Sequence, residues 1–242
     1  MLNIVIPMAG AGSRFAKAGY KMPKPLIDVK GKPMIEWVTN NIRPNCEHRF
    51  IYICRTEHLG KYNLEKFLNK IAPNCGIICV DRLTEGAACT VLCAEKYIDN
   101  EDALMIANSD QYVDININEY LCNAYDYDGL IMTMKASNPK WSFIKYEDKL
   151  VTVVREKEVI SDEATVGIYN YKHGKDFVKY AKLMIKKNIR VNNEFYVAPV
   201  YNEMIEAGKK ITFYNIGSDK DKMHGLGIPE DLDKFLKLNF EI

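Results

Sequence analysis

Gly10 and Gly12 stand two residues apart, Arg14 follows two residues on, and ten residues later Lys24 is held between Pro23 and Pro25. Glycines let backbone N–H groups come close to an anion, as in the nests that bind phosphate oxygens. An arginine can bridge two phosphates with its planar fork, and a lysine supplies a compact charge. These residue types in this order suit a polyphosphate. An ordinary βα loop with a few solvated cations has the same composition, and that reading stays open on these residues alone. Two familiar glycine loops do not fit. The dinucleotide fingerprint needs a third glycine where this chain has Phe15, and Pro23 and Pro25 leave no clean helix start. The P-loop spacing G-x-x-x-x-G-K-[ST] is absent.

The elements that would position this loop are legible in the first half. Apolar, β-branched runs at Leu2–Pro7, Phe50–Cys54, Gly76–Val80 and Ala103–Ala107 alternate with helix-period patterns at Met34–Ile42, Leu59–Ile71 and Gly86–Ile98. Such alternation predicts a mostly parallel sheet covered by helices, with ligands beyond the carboxyl ends of the strands. The glycine loop after Pro7 and the segment "NSDQ" after Ala107 both fall on that rim. From residue 129 onward the strands "GLIMTMKAS", "WSFIKYE", "LVTVVREKE" and "TVGIYNY" follow in quick succession, as antiparallel additions. Helices are expected at Gly174–Lys187 and Glu194–Ala207, a strand at "KITFYNI", and a last helix in "GIPEDLDKFLKLNF". With no linker, repeat or low-complexity tract, residues 1–242 read as one domain in two halves, 1–128 and 129–242.

Composition narrows the class. The chain has 242 residues, 48% hydrophobic and 27% charged, enough for a sizeable core. A formal net charge of +1 gives no global field toward nucleic acid or an anionic membrane, and neither is expected as a partner. "MLNIVIPMAG" reads as a buried strand rather than a signal peptide, and no stretch is long and apolar enough to span a bilayer. Seven cysteines without an export signal point to a reduced, cytoplasmic protein. Cys75/Cys79 and Cys89/Cys93 are read as small buried hydrophobes rather than zinc ligands.

"G-x-G-S-R-F" followed by "PKPLIDVKGKPMIEW" strongly resembles the sugar-phosphate nucleotidyltransferases, whose signature is a G-x-G-x-R loop, then P-K-P-L and G-K-P-M-[IL]. "TEGAACTVL" resembles the family's base-contacting turn, "NSDQ" its metal-binding aspartate, "REKE" its sugar-phosphate lysine and "GIPEDL" its closing motif. The resemblance covers nearly the whole chain and is nearest to a compact, cytidylyltransferase-like member. It implies a single α/β domain with a mostly parallel, Rossmann-like sheet flanked by helices and antiparallel additions in the second half. It implies, too, attack by a phosphate oxygen of a phosphorylated sugar or polyol on the α-phosphorus of an NTP, with pyrophosphate leaving. Positioning and charge neutralisation then carry the catalysis.

On that resemblance Arg14 holds the β- and γ-phosphates, Lys24 the α-phosphate, and Asp110 is the Mg²⁺ ligand. Ala9, Gly10 and Gly12 line the phosphates, and Gly86 and Ala87 approach the nucleobase through backbone. Lys157 grips the acceptor's phosphate, Glu194 its hydroxyls, and Trp141 and Tyr196 line its pocket. Without the resemblance, Asp110 also suits a helix cap, Gly86–Ala88 a plain helix start, and Lys17, Lys21 and Lys30 solvated surface charges. A homodimer is the family's expectation.

Three departures shape the expected specificity. The family's second metal-binding aspartate has its place at Gly225, so one Mg²⁺ is expected. Five residues before Gly86, where thymidylyl- and uridylyl-type members commonly have glutamine, stands Asp81. An ionised carboxylate only accepts hydrogen bonds, which favours CTP, then GTP. Ser142 and Phe143 replace the stretch whose glycine lies against a hexose, a bulkier wall suited to an open-chain polyol phosphate. The activated product would serve surface polysaccharide such as capsule. The alternatives are a hexose-1-phosphate enzyme using GTP, UTP or dTTP, a glycosyltransferase, or a non-catalytic nucleotide-binding relative. "SDQY" lacks the Asp-x-Asp pair of glycosyltransferases.

Overall fold

The computed structural model describes residues 1–219 and 221–238. Nine strands form one sheet: β1 (Leu2–Pro7), β2 (His48–Arg55), β3 (Gly76–Val80), β4 (Ala103–Ala107), β5 (Gly129–Lys135), β6 (Ser142–Glu147), β7 (Leu150–Glu156), β8 (Glu163–Tyr171) and β9 (Ile211–Ser218). The order β7-β6-β8-β4-β1-β2-β3 runs across it, with β5 beside β8 and β9 beside β5. β1 to β4 pair in parallel, while β8 meets β4, β5 and β6 antiparallel. β9 returns parallel to β5. The two halves of the chain therefore share a single sheet, with β8 as the seam.

Alternation along β1 sends Leu2, Ile4 and Ile6 to one face and Val5 to the other. The first face packs on Ile35 and Val38 of helix Met34–Asn41 and on Leu64 and Leu68 of helix Leu64–Ile71. The second takes helices Ala87–Leu92, Gly174–Lys186 and Val200–Glu206 through Ala88, Val91, Phe177, Ala181, Tyr201 and Met204. Each large side chain so buried, such as Ile4, Leu68 or Phe177, contributes about 1.5–3 kcal/mol, and each alanine less. A third cluster holds the rim: Phe15, Val29, Met34, Trp37, Leu226 and Phe235. Phe15, the residue that rules out the dinucleotide fingerprint, is 1% exposed and lies edge-on to Tyr20 at 5.0 Å. It anchors the glycine loop in an apolar cluster of its own.

Several expectations need correction. A short helix, Ser13–Lys17, does start after Gly12, which takes φ 60 and leaves Pro23 and Pro25 outside the helix. The helix expected over Leu59–Ile71 is two, Thr56–Tyr62 and Leu64–Ile71, broken at Asn63 with φ 50. Gly86–Ile98 is likewise split into Ala87–Leu92 and Glu95–Ile98. The helix expected from Glu194 begins only at Val200, because Asn192 and Asn193 take φ 50 and 63 in a tight turn that Val191 and Glu194 close. The four paired cysteines are not buried: Cys79 and Cys93 are exposed, Cys75 and Cys89 half-buried. Cys79 lies on the edge strand β3, and Cys89 and Cys93 lie outside the buried residues of their helix. The last helix is Pro229–Leu236, and Asn239 and Phe240 of that motif fall outside the described residues. Among the described residues no helix is long and apolar enough to cross a membrane.

Candidate active site

The carboxyl ends of β1 and β4 open into a cavity of about 370 Å³ lined by Ala9, Gly10, Lys24, Thr84, Gly86, Ala87, Asp110 and Glu194. Lys24 opens a 3-10 turn, Lys24–Leu26, and the prolines on either side fix its backbone. Its ammonium reaches Asp110 Oδ2 at 2.8 Å. Asp110 follows β4 and precedes a two-strand ladder in which Gln111 pairs with Gly225 of the closing segment. Leu226 N–H donates to the carbonyl of Asp110 at 2.7 Å. A Cβ on Gly227 would sit 2.4 Å from Asp110 Oδ2, so the glycine of the closing motif makes room for that carboxylate.

Gly86 stands at the opening of helix Ala87–Leu92 with φ 125, and a Cβ there would meet the backbone N and O of Phe195 at 2.5 Å. Phe195 N–H donates to Glu85 O at 2.8 Å, and Ala88 N–H donates to Phe195 O at 3.0 Å. This clasp holds the Gly86–Ala87 turn against the loop that carries Glu194.

A second cavity of about 250 Å³ adjoins the first, and Ala87 and Asn108 line both. Trp141, Ser142, Glu156, Lys157 and Tyr196 surround it. Lys157 lies just past β7 with φ 58, its N–H bonded to Trp141 O at 3.0 Å. Its ammonium donates to the Tyr196 hydroxyl at 2.5 Å and lies 4.6 Å from the centre of that ring. Burial, and then the carboxylates of Glu194 and Glu156, push the Tyr196 phenol well above its ordinary pKa. The charge of Arg14 opposes that shift.

Glu156, which the sequence reading passed over in favour of its neighbour Lys157, has its carboxylate in this second cavity and accepts a hydrogen bond from the Ser142 hydroxyl. Burial raises its pKa, with Ser142 and Lys157 opposing and Glu194 adding to the rise. The alternation of β7 carried the signal: Val154 faces the core, and Glu156 lies two residues on.

Three candidates lie elsewhere. Arg14 is exposed on its short helix and lines neither cavity. Asp81 lies beyond β3, where it accepts a hydrogen bond from Thr56 Oγ1 at 2.6 Å; Leu83 and Thr84, not Asp81, line the first cavity. Phe143 is fully buried in the core, so only Ser142 of that pair faces the acceptor side. Successive strand residues face opposite ways, and a wall built of both is geometrically excluded. Gly12 lies beside Lys24, whose Cβ is 3.5 Å from the place of its missing side chain. A cavity of about 810 Å³ lies at the opposite rim around Leu2, Ala103 and Gly129 and contains none of the candidate residues.

The model of the MobA-like NTP transferase domain matches residues 4–164. The bifunctional protein GlmU of Methanococcus maripaludis (strain C5) is 25% identical over 174 residues, 69% of this chain and 39% of GlmU. The chain thus matches about two fifths of the length of that relative. Among solved structures, the nucleoside-diphosphate-sugar pyrophosphorylase from Vibrio cholerae RC9 superposes with a TM-score of 0.84 at 24% identity, over 97% of this chain and 100% of that one. The inositol-1-phosphate CTP transferase from T. maritima does so with a TM-score of 0.73 at 15% identity, over 99% and 98%. At these identities the superpositions carry the fold.

Proposed function

The chain belongs to the MobA-like NTP transferase domain family, and from that premise we propose that it transfers a nucleotidyl group from an NTP, CTP foremost, to a phosphorylated sugar or polyol, making an activated precursor for surface polysaccharide. An oxygen of the acceptor phosphate attacks the α-phosphorus. The new P–O bond forms as the bond to the bridging oxygen breaks, and pyrophosphate leaves with the electron pair. The observation that carries the reading is the shared wall: the cavity of Lys24 and Asp110 meets that of Lys157 along Ala87 and Asn108. Two phosphates held one in each cavity would meet there.

In this reading Lys24 neutralises the α-phosphate, Gly86 and Ala87 present backbone to the base, and Lys157 draws in the acceptor's phosphate. Glu156, Glu194, Trp141 and Tyr196 take its hydroxyls and carbon frame. The preference for CTP rests on the place of Asp81 five residues before Gly86, although its carboxylate is engaged by Thr56 and Leu83 and Thr84 line the cavity in its stead. Arg14 would reach the polyphosphate from the outer side of the loop.

The donor set fits a single Mg²⁺. Asp110 offers a hard carboxylate oxygen beside the bare Gly227, at the rim of the cavity that Gly10 and Ala11 line. The ion, when bound, would add positive charge against the substrate phosphates. Lys24 already supplies such charge at the same carboxylate.

Thermal shifts with Mg²⁺ and each of CTP, GTP, UTP, dTTP and ATP test the base, and pyrophosphate release across a panel of sugar and polyol phosphates tests the reaction. Selective stabilisation by CTP with release on a sugar or polyol phosphate is the expected result. Stabilisation by UTP or dTTP overturns the choice of base. No shift with any NTP overturns the whole reading.

A further inference from the structure

Glu156 and Lys157 are neighbours in the chain, and successive extended residues face opposite sides of a sheet. Lys157 breaks that alternation. Its backbone takes φ 58, its N–H is bonded to Trp141 O, and it lines the same cavity of about 250 Å³ as Glu156. A side chain other than glycine held in the left-handed region carries strain that the surroundings must impose. The outcome here is a carboxylate and an ammonium from adjacent residues around one small space.

Neither charge is paired. Among the described residues Glu156 and Lys157 have no ion-pair partner: the Lys157 ammonium rests on the neutral Tyr196 hydroxyl, and Glu156 Oε2 accepts from the Ser142 hydroxyl. Glu156 Oε1 has no hydrogen-bond partner among them. Burial disfavours the ionised Glu156, the Ser142 hydrogen bond and the charge of Lys157 oppose that, and Glu194, on the wall of the nucleotide cavity, adds to it. The other cation of the wall, Lys140, is taken by Asp231 at 3.7 Å and by the Trp141 ring, 4.5 Å from its centre.

When an acceptor phosphate draws on Lys157, one ammonium serves two anions. A buried charge left without a counter-charge is costly. Neutral hydroxyls do not restore the balance, whereas an ammonium on the acceptor supplies both the charge and N–H donors for Oε1. The rings do not serve in its place. The Tyr196 ring already carries Lys157 at 4.6 Å and the Trp141 ring carries Lys140, while the carboxylate oxygen is unengaged.

We infer that the acceptor is a phosphorylated amino alcohol, cyclic or open-chain, whose primary ammonium donates to Glu156 Oε1 while its phosphate lies on Lys157. This rests on the nucleotidyl-transfer reading and deepens it, narrowing the sugar or polyol to one that bears an amine. Glu156 is then the residue that selects the acceptor, and the left-handed turn at Lys157 is what brings the two ends of one small molecule to neighbouring side chains.

Matched pairs test this by isothermal titration of the full chain: glucosamine-6-phosphate against glucose-6-phosphate, and phosphoethanolamine against ethylene glycol phosphate, with phosphocholine as the quaternary case. Pyrophosphate release is followed on the same panel with the NTP that stabilises the chain. In at least one pair the amine is expected to bind about 10-fold or more tighter, the scale of a hydrogen bond between charged groups, and Glu156→Gln to bring the two members to within about twofold. Melting curves check that the variant folds. Amines that bind no better than their neutral counterparts in either pair, or a preference that survives Glu156→Gln, overturn the inference. So does phosphocholine binding as tightly as phosphoethanolamine, which assigns the cation to the rings. Release on the neutral members alone overturns the inference and leaves nucleotidyl transfer standing. A chain that binds an NTP but none of these phosphates overturns the inference alone, and one that binds neither overturns the transfer reading with it.

Discussion

Lys24 Nζ and Asp110 Oδ2 lie 2.8 Å apart although 86 residues separate them in the chain. Each holds the other in place at the edge of the nucleotide cavity. Lys24→Met is expected to lower turnover by about 10²- to 10³-fold, the scale for removing one charge aimed at a transition state. Lys24→Arg should rescue little, since a planar fork cannot occupy the place of a compact ammonium. Pyrophosphate release under saturating substrate measures both.

Gly86 has no room for a side chain, with the Phe195 backbone 2.5 Å from the Cβ position and φ at 125. Gly86→Ala should cost about 2 kcal/mol or more, a fall in Tm of roughly 4–8 °C for a chain of this size. Gly10→Ala, where the space is open, should leave Tm within about 2 °C. Parallel melts of the two variants decide it.

Glu156 carries a pKa raised chiefly by burial, and the sign of its effect on stability follows. Below the ordinary glutamate value of about 4.3 the group is protonated in folded and unfolded chains alike and costs nothing. As pH rises through that value toward the raised one, the unfolded chain ionises first and stability falls. Glu156→Gln should therefore melt higher than wild type near pH 7, with the gap closing as pH drops toward 4. A gap independent of pH would refute this.

Tyr196 donates nothing to Lys157 but accepts its ammonium at 2.5 Å while offering the ring face beneath. Tyr196→Phe keeps the ring and removes the acceptor. The expected outcome is a change in acceptor KM of up to about 10-fold with NTP KM unchanged. Equal shifts in both constants would place Tyr196 outside the acceptor side.

The parallel strands were readable because buried strands must be unbroken apolar runs, as "LNIVIP" and "ALMIA" are. Helix breaks were not, since Asn63 sits inside a good apolar period and only its left-handed backbone ends the helix. Glu194 was found by motif, yet its turn was hidden by the helical period of the residues after it. The pair Asn192–Asn193, both suited to positive φ, was the missed cue. Lys24 stood out between its two prolines, whereas Asp110 and Lys157 were marked by the family resemblance of "NSDQ" and "REKE". Glu156 did not, because only the pairing of its strand turns it toward the cavity that Ser142 and Lys157 line.

The seam at β8 also bears on how the chain is made. During synthesis β1, β2, β3 and β4 emerge first and can pair among themselves, yet β4 keeps an open edge until Ile168–Tyr171 leaves the ribosome. That edge is "ALMIA", apolar and free of proline. Naked strands of this kind recruit one another between nascent chains. Expression yield should accordingly depend on translation speed across residues 108–171, with slow codons there favouring aggregates and a chaperone that shields strand edges restoring the soluble enzyme.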